Sequence, residues 1–304
     1  MKELVVISGK GGTGKTSLVA AFAALGAPLV VADCDVDAAD LHLVLAPQIR
    51  ERAPFRSGHE ARIRPEACTR CGVCRDDCRF GAIMEYDHGD ARAGEVGSAP
   101  LPALRIDPWA CEGCGVCVEF CPEGAIDFPE RTSGEWYVSD TRYGPLVHAR
   151  LEPAQENSGK LVTLVRKEAG KLADQRGRRL VLIDGSPGVG CPVIASVTGA
   201  SFVLIVTEPT RSARHDLERV MDLTRHFHLP AGVCINKSDI NPQISAEIAD
   251  YCRAEGRPLL GEIAYDPAVT RAQLAGRSVI EDRPSAAAEQ MRGVWGKVCE
   301  MLDI

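Results

Sequence analysis

Six short, mostly apolar runs are spread along the chain, and each has the length of a strand that is buried on both faces. They are 4–7, 29–32, 180–183, 202–206, 231–235 and 259–264. The segments between several of them have helical spacing of apolar residues, as in 158–175. Strands that alternate with helices predict an α/β fold with a mainly parallel sheet and right-handed crossovers.

Two further patterns complete the predicted framework. Residues 136–139 and 145–151 read as strands on either side of a Tyr-Gly-Pro turn. Residues 286–302 have apolar positions at helical spacing, but acidic side chains oppose the few basic ones on the polar face. A membrane-targeting helix needs a more basic polar face, so we predict that this helix covers the core.

The composition changes sharply between the second and third apolar runs. From about residue 63 to residue 128 the sequence is rich in cysteines and turn residues, and 87–102 is predicted to be an extended surface loop. We therefore predict a small domain at 63–130, inserted into a larger domain formed by 1–62 and 131–304.

Composition and charge narrow the classes of function. The 304 residues carry a net charge of −7, which argues against nucleic acid as the main partner. No apolar run is long enough to span a membrane, and no signal peptide precedes the first strand, so we expect a cytoplasmic protein. Thirteen cysteines in such a chain indicate metal binding rather than disulfides.

The first apolar run is followed by a sequence that fits the phosphate-binding loop G-x-x-x-x-G-K-[ST]. Its glycines let backbone N–H groups surround phosphate oxygens, Lys15 would reach the β- and γ-phosphates, and Thr16 would hold Mg²⁺. A strand before the loop and a helix after it, predicted from Ser17 to Leu25, provide the required context. The predicted nucleotide-binding residues of the loop are Gly9, Lys10, Gly11, Gly12, Thr13, Gly14, Lys15, Thr16 and Ser17.

Polar residues follow three of the other predicted strands. Asp33 and Asp35 end the second strand, Asp184 ends a later one, and an Asn-Lys-Ser-Asp sequence begins at Asn236. The carboxyl ends of parallel strands carry the chemistry of open α/β sheets, so we expect these residues to lie near the loop.

Eight cysteines form two runs, each with the spacing C-x₂-C-x₂-C-x₃-C. The runs are Cys68, Cys71, Cys74 and Cys78, and Cys111, Cys114, Cys117 and Cys121. Zinc sites favour paired C-x₂-C motifs, whereas this spacing resembles that of two-cluster bacterial ferredoxins. The resemblance implies two [4Fe–4S] clusters, in which Cys121 completes the first set of three cysteines and Cys78 completes the second. Arg79 departs from the pattern, because a proline usually follows the fourth cysteine.

With Lys10 near its start, the loop resembles the deviant Walker A motif of the MinD, Mrp and nitrogenase-iron-protein ATPases, and the whole chain resembles members of this SIMIBI-class group that contain an inserted ferredoxin-like domain. The resemblance implies an ATP-hydrolysing dimer in which Lys10 reaches the nucleotide of the second subunit. It implies that Asp35 orients the attacking water, and that Asp33 and Asp184 help to hold Mg²⁺.

For the base, the resemblance implies ATP rather than a guanine nucleotide, with Asn236 hydrogen-bonding adenine. Asp40 and Ala264 depart from the family pattern near the nucleotide. Cys191 lies seven residues after Asp184, where the nitrogenase iron protein has a cluster ligand. Whether Cys191 binds a shared cluster or packs at a dimer interface stays open, with packing favoured.

Three functions are compatible with these features. In the first, ATP binding gates electron transfer from the clusters to a redox partner protein, and the chain acts as a homodimer or with a related ATPase. In the second, the protein is an iron–sulfur carrier or scaffold of the Mrp type. In the third, it is a MinD-like positioning ATPase whose clusters sense redox conditions. Complete cysteine sets favour the first.

Overall fold

The computed structural model describes residues 1–86, 103–152, 158–282 and 284–304. The loop predicted at 87–102 lies outside the described residues. The described chain forms two compact units. The larger unit comprises Met1–Ala53, Gly134–Leu151 and the described residues from 158 onward, and the smaller unit lies within Pro54–Ser133, with Glu152.

Strands outnumber helices in the described part of the chain. The strands are β1 (Lys2–Ser8), β2 (Val30–Asp33), β3 (Gln48–His59), β4 (Arg62–Ile63), β5 (Ile83–Tyr86), β6 (Ala103–Ile106), β7 (Ile126–Asp127), β8 (Glu130–Thr141), β9 (Gly144–Leu151), β10 (Leu180–Pro187), β11 (Phe202–Thr207), β12 (Ala231–Asn236) and β13 (Leu259–Ile263). The α-helices are α1 (Lys15–Leu25), α2 (Leu41–Leu45), α3 (Val73–Asp76), α4 (Val116–Glu119), α5 (Ser158–Gln175), α6 (Cys191–Val197), α7 (Arg211–His226), α8 (Pro242–Ala254), α9 (Pro267–Leu274) and α10 (Ala286–Leu302), and a 3-10 helix spans Val279–Glu281.

A nine-stranded sheet runs in the order β13-β12-β11-β1-β10-β2-β9-β8-β3 within the described residues. All neighbouring pairs from β13 to β9 are parallel, with β1 between β10 and β11. β8 and β9 are antiparallel and are joined at the predicted turn. The mainly parallel α/β sheet is therefore confirmed. It brings the carboxyl ends of β1, β2, β10 and β12 to one edge, because strands in a parallel sheet share one direction.

The core of the larger unit lies between this sheet and its helices. Phe22 of α1 is fully buried, and its ring lies 4.9 Å from that of Trp295 on α10. α10 also buries Met291, Val294 and Val298 in the same core. The prediction that this helix covers the core is confirmed. Among the described residues, no helix has the length and apolar character needed to cross a membrane.

The smaller unit is an internal repeat. Each cysteine of the second run lies 43 positions after its counterpart in the first, as Cys111 follows Cys68. The backbone follows the same offset, because α3 begins after Gly72 and α4 after Gly115, with φ angles of 83° and 79°.

The strands of the repeat are exchanged between its halves. β4, which opens the first half, pairs with β7, which closes the second, and β5 pairs with β6 in the corresponding way. The registers agree with this symmetry. Ile63 pairs with Ile126, and their counterparts 43 positions away in the other half, Ile106 and Ile83, pair with each other. Each half is thus completed by strands of the other.

Candidate functional site

The loop between β1 and α1 has the conformation that its glycines allow. Gly12 and Gly14 have φ angles of 79° and 89°, which residues with a side chain rarely adopt. A Cβ atom on Gly14 would lie 2.2 Å from Nδ2 of Asn236, so glycine is also required by close approach. α1 begins at Lys15 directly after Gly14, which directs its N-terminal N–H groups toward the loop.

The loop forms one wall of a cleft of about 480 Å³ in the larger unit. Residues after β2, β12 and β13 and residues of α9 and α10 form the other walls. The lining includes Gly11, Gly12, Thr13, Gly14, Lys15, Thr16, Ser17, Asp35, Asp40, Asn236, Lys237, Ala264, Tyr265, Val269, Gln273 and Met291. The structure therefore brings most of the predicted loop residues to one cleft, together with Asp35 and Asn236. Gly9, Lys10, Asp33 and Asp184 are not among its lining residues.

Lys15 lies between two carboxylates at the floor of the cleft. Its Nζ is 2.7 Å from Oδ1 of Asp184 and 3.3 Å from Oδ2 of Asp35, and its side chain is 6% exposed. Burial lowers the pKa of Lys15, but attraction to Asp184 and Asp35 raises it overall, so this ammonium stays charged.

Asp33 and Asp184 each keep one buried carboxylate oxygen without a hydrogen-bond partner among the described residues. Oδ1 of Asp33 accepts a hydrogen bond from the backbone N–H of Asp35 at 3.2 Å, whereas its Oδ2 has no partner. Burial and the nearby charge of Asp184 raise the pKa of Asp33 well above its usual range. Buried oxygens of this kind favour a cation beside them.

The Asn-Lys-Ser-Asp sequence that begins with the last residue of β12 holds the phosphate-binding loop in place. The Asn236 amide donates a hydrogen bond to the carbonyl oxygen of Thr13 at 2.7 Å, and Nζ of Lys237 donates one to the carbonyl oxygen of Gly12 at 3.0 Å. Oδ1 of Asp239 accepts a hydrogen bond from the backbone N–H of Tyr265 at 2.6 Å. The amide that was predicted to bind adenine is thus engaged with the loop, and Asp239 holds the segment after β13.

Two contacts in this region were not predicted from the sequence. Glu208, which follows β11, pairs with both Lys10 and Lys237. Gln273 on α9 donates to the Ser17 hydroxyl at 2.8 Å. The position of Glu208 directly after a buried strand was the available signal, because Asp33 also stands at the end of one. Asp184 was expected to end its strand, but β10 continues to Pro187.

In the smaller unit the eight cysteines line two separate small hollows of about 20 and 10 Å³. The cysteines of the first hollow are Cys78, Cys111, Cys114 and Cys117. The cysteines of the second hollow are Cys68, Cys71, Cys74 and Cys121. Each hollow therefore takes three cysteines from one run and the last cysteine of the other run.

Both hollows are lined mainly by apolar side chains apart from the thiols. Backbone N–H groups of Arg70 and Ala125 point at Sγ of Cys68 and Cys121, at 3.4 and 3.3 Å. Burial, with the nearby cysteines, raises the pKa of Cys117 to about 11. No group of three or more His, Cys, Asp or Glu residues in the described ranges is arranged to hold a metal ion.

Cys191 is the first residue of α6 and is exposed. Its Cβ lies 3.4 Å from the position of a Cβ atom added to Gly159, so it faces the start of α5. It lies in the larger unit, away in sequence from the eight cysteines of the hollows.

Comparison with known proteins finds a matching family model, a relative that is similar in sequence, and solved structures with a similar fold. The family model of the CobQ/CobB/MinD/ParA nucleotide binding domain matches residues 4–279. An uncharacterized protein of Methanocaldococcus jannaschii is 33% identical over 244 residues, which cover 79% of each chain.

Solved structures with a similar fold include two archaeal proteins. The cell division ATPase MinD of Pyrococcus furiosus has a TM-score of 0.57 and 18% identity, over 99% of both chains. The septum site-determining protein MinD of Pyrococcus horikoshii, solved with Mg-ADP, has a TM-score of 0.56 and 17% identity, over 98% of this chain and 95% of that one. At these identities the likeness concerns the fold.

Proposed function

The chain belongs to the CobQ/CobB/MinD/ParA nucleotide-binding family, and on that premise we propose that it is a cytoplasmic, Mg²⁺-dependent ATPase. In this proposal the protein acts as a dimer, and ATP binding and hydrolysis gate electron transfer from two [4Fe–4S] clusters to a partner protein. The observation that carries the redox part is the sorting of the eight cysteines into two hollows of four.

The nucleotide part of the proposal rests on the contents of the cleft. Transfer of a phosphoryl group to water needs mainly positioning and charge neutralisation. Lys15 belongs to the loop and lines the cleft, where it can exchange its carboxylate partners for phosphate oxygens. Asp35 at the cleft wall is the candidate to orient the attacking water. The segment after β13 and the apolar side chains of Val269 and Met291 offer a surface for the base.

The residues present also fit Mg²⁺, which prefers oxygen ligands. Oδ2 of Asp33 and Oδ2 of Asp184 are buried and have no hydrogen-bond partner in the part of the chain that the structure describes, and Thr16, the residue after Lys15, lines the cleft. In the proposal Thr16 binds the ion, and Asp33 and Asp184 hold its water ligands. Bound Mg²⁺ neutralises charge on the phosphates.

The residues fit two cubane clusters as well. Soft thiolate ligands in sets of four suit iron–sulfur clusters, and the exchange of Cys78 and Cys121 between sets is the arrangement that the sequence resemblance implies. The four thiols of each hollow would hold one cluster together, so they need not converge on a single ion. The apolar lining limits water around the thiols, and the N–H groups of Arg70 and Ala125 stabilise negative charge on sulfur. Each cluster supplies a one-electron carrier.

A MinD-like positioning ATPase is the second candidate, because the fold is shared with MinD proteins across almost the whole chain. In that case the clusters would report redox conditions. An iron–sulfur carrier of the Mrp type is a third reading, and the complete sets of four thiols argue against it, because they favour stably held clusters over labile ones.

An anaerobic preparation distinguishes these functions. We expect about eight iron and eight sulfide per chain, a spectrum of reduced [4Fe–4S] clusters, and Mg-ATP-dependent retention of a redox partner on the immobilised protein. ATP-dependent localisation in the cell, with clusters that exchange no electrons with retained proteins, would favour the positioning ATPase. Release of clusters to an apo-ferredoxin would favour the carrier.

A further inference from the structure

Lys10 is held by a short segment of its own chain, residues 208–212. Its Nζ lies 2.8 Å from Oε1 of Glu208 and 3.2 Å from each of the hydroxyl oxygens of Thr210 and Ser212. A lysine ammonium has three N–H donors and no acceptor. The 208–212 segment therefore supplies one acceptor for every donor of Lys10.

The segment is itself fixed in place, so these acceptors are not free to follow Lys10. It joins β11 to α7, and the Thr210 hydroxyl caps α7 by accepting a hydrogen bond from the backbone N–H of Ala213 at 3.2 Å. Oε2 of Glu208 is 3.1 Å from Nζ of Lys237, which is bound in turn to the Gly12 carbonyl oxygen.

Charge and burial make the contact between Glu208 and Lys10 stronger than a surface ion pair. The Glu208 side chain is 15% exposed. Partial burial raises its pKa, but hydrogen bonds from Lys10 and Lys237 lower it overall, so it is ionised at neutral pH. An ion pair that is partly shielded from water is screened less than an exposed one.

We propose that Glu208 is a positioning residue that retains Lys10 within its own chain and thereby opposes closure of the dimer. The inference rests on the dimer of the proposed function and on the role that the family resemblance implies for Lys10, which is to reach the nucleotide of the second subunit. One ammonium cannot hold three acceptors of its own chain and a phosphate of another chain together. Closure therefore requires Lys10 to leave the 208–212 segment, and Glu208 sets the free energy of that step.

Dimerisation of the full-length protein tests this inference. The dissociation constant of the dimer is measured by sedimentation velocity with Mg²⁺ and a non-hydrolysable ATP analogue, for the wild type, Glu208→Gln, Lys10→Ala and the double variant. A closing dimer releases this contact in both subunits, so if each contact is worth about 1 kcal/mol, Glu208→Gln should lower the dissociation constant about 30-fold. The same substitution in the Lys10→Ala background should change nothing.

A matched control removes another glutamate from the neighbouring helix. Glu218 on α7 pairs with Arg214 one turn earlier and does not contact Lys10. Glu218→Gln should leave the dissociation constant of the dimer unchanged.

The other outcomes are distinguishable. A wild type that stays monomeric with the analogue contradicts the proposed dimer and, with it, this inference. A wild type that dimerises while Glu208→Gln is unchanged or weaker overturns the inference alone. A gain that persists without Lys10 also overturns it, because Glu208 would then act through Lys237. If Glu208→Gln does not fold, Ser212→Ala replaces it, and the absence of a smaller gain in the same direction overturns the inference.

Discussion

The side-chain amide of Asn236 donates a hydrogen bond to the carbonyl oxygen of Thr13 at 2.7 Å. The same amide lies so close to Gly14 that no other residue fits at that position. The end of β12 is thereby attached to the phosphate-binding loop. Nucleotide affinity should therefore depend on packing between the two segments as well as on contacts to phosphate.

Gly14→Ala should weaken nucleotide binding. The new Cβ would meet Nδ2 of Asn236 at 2.2 Å, and the φ angle of 89° would become strained. A strain of about 1–3 kcal/mol in the loop corresponds to a loss of about 5- to 150-fold in affinity for Mg-ADP. Isothermal titration calorimetry measures the loss, and Gly177→Ala provides the control. Gly177 also has a positive φ, of 62°, but has no atom near its added Cβ. The control should lower stability and leave nucleotide affinity intact, and equal affinities for both variants would contradict this view of Gly14.

Asp35→Asn should separate hydrolysis from binding. The carboxylate lies at the cleft wall, 3.3 Å from Nζ of Lys15, and the proposal gives it the orientation of the attacking water. We expect kcat for ATP to fall about 100-fold while the dissociation constant for Mg-ADP changes little. Asp37→Asn, two residues further along, should keep most of the hydrolysis. Loss of binding in Asp35→Asn would assign this carboxylate to the structure of the site instead.

Pairs of cysteine substitutions test the sorting of the hollows. Cys78→Ser with Cys111→Ser removes two thiols from one hollow, and should leave about four iron per chain. Cys78→Ser with Cys68→Ser removes one thiol from each hollow, and should lower the count toward zero. The reverse result would show that each run holds its own cluster. Cys299→Ser in α10 is the control outside the hollows, and iron and sulfide analysis after anaerobic reconstitution gives the counts.

The stability of the larger unit should fall as the pH drops below about 6.5, because of His148. The ring stacks on Tyr137, and its Nε2 is 2.9 Å from Oγ of Ser139. Burial, with repulsion from His42, lowers the pKa of His148 to about 4. The unfolded chain therefore binds more protons than the folded one between pH 6.5 and pH 4, and the free energy of unfolding declines across that range.

The titration of His148 should lower the free energy of unfolding by about 2 kcal/mol between pH 7.5 and pH 5. Urea unfolding at the two pH values should show that His148→Gln removes it. His226→Gln, which removes an exposed histidine from α7, serves as the control. If the free energy of unfolding changes equally with pH in the wild type and in His148→Gln, the pH dependence comes from other groups.

Two glycines inside α10 should be replaceable with a gain in stability. Gly293 and Gly296 are exposed, and an added Cβ would meet no atom within 4 Å. Alanine at each position should raise the free energy of unfolding by about 1 kcal/mol, because glycine is a poor helix former. Gly261→Ala is the contrasting case, since its Cβ would lie 2.6 Å from Cγ2 of Val294, and it should destabilise. Thermal unfolding compares the three variants.

The sequence was most informative where one physical pattern acted alone. The uninterrupted apolar runs predicted the central strands, and helical spacing predicted residues 158–175 with the bounds that the structure has for α5. The helix after the loop begins at Lys15, two residues earlier than the predicted Ser17, because the glycine conformation ends at Gly14. The resemblance of the cysteine runs to two-cluster ferredoxins implied which thiols would share a hollow.

β3 was missed because its sequence has neither alternation nor an apolar run. In the structure, Arg50 and Arg52 of β3 pair with Asp140 and Glu135 of β8. Cross-strand charge pairs of this kind form only when the two strands pair, so no pattern in the local sequence predicts them. The contacts of Lys10 were missed for the same reason, since Glu208 lies almost 200 positions further along the chain.

The exchange of strands in the smaller unit also bears on the order in which the protein can assemble during synthesis. β4 leaves the ribosome long before β7, its pairing partner, and Cys68, Cys71 and Cys74 precede Cys121 by a similar interval. The first half must therefore wait, with its thiols exposed, until the second half has emerged. β1 waits longer still, because both of its neighbours, β10 and β11, come from beyond residue 179. A nascent chain that stalls between the two halves would thus present unprotected thiols to oxidants and to stray metal ions.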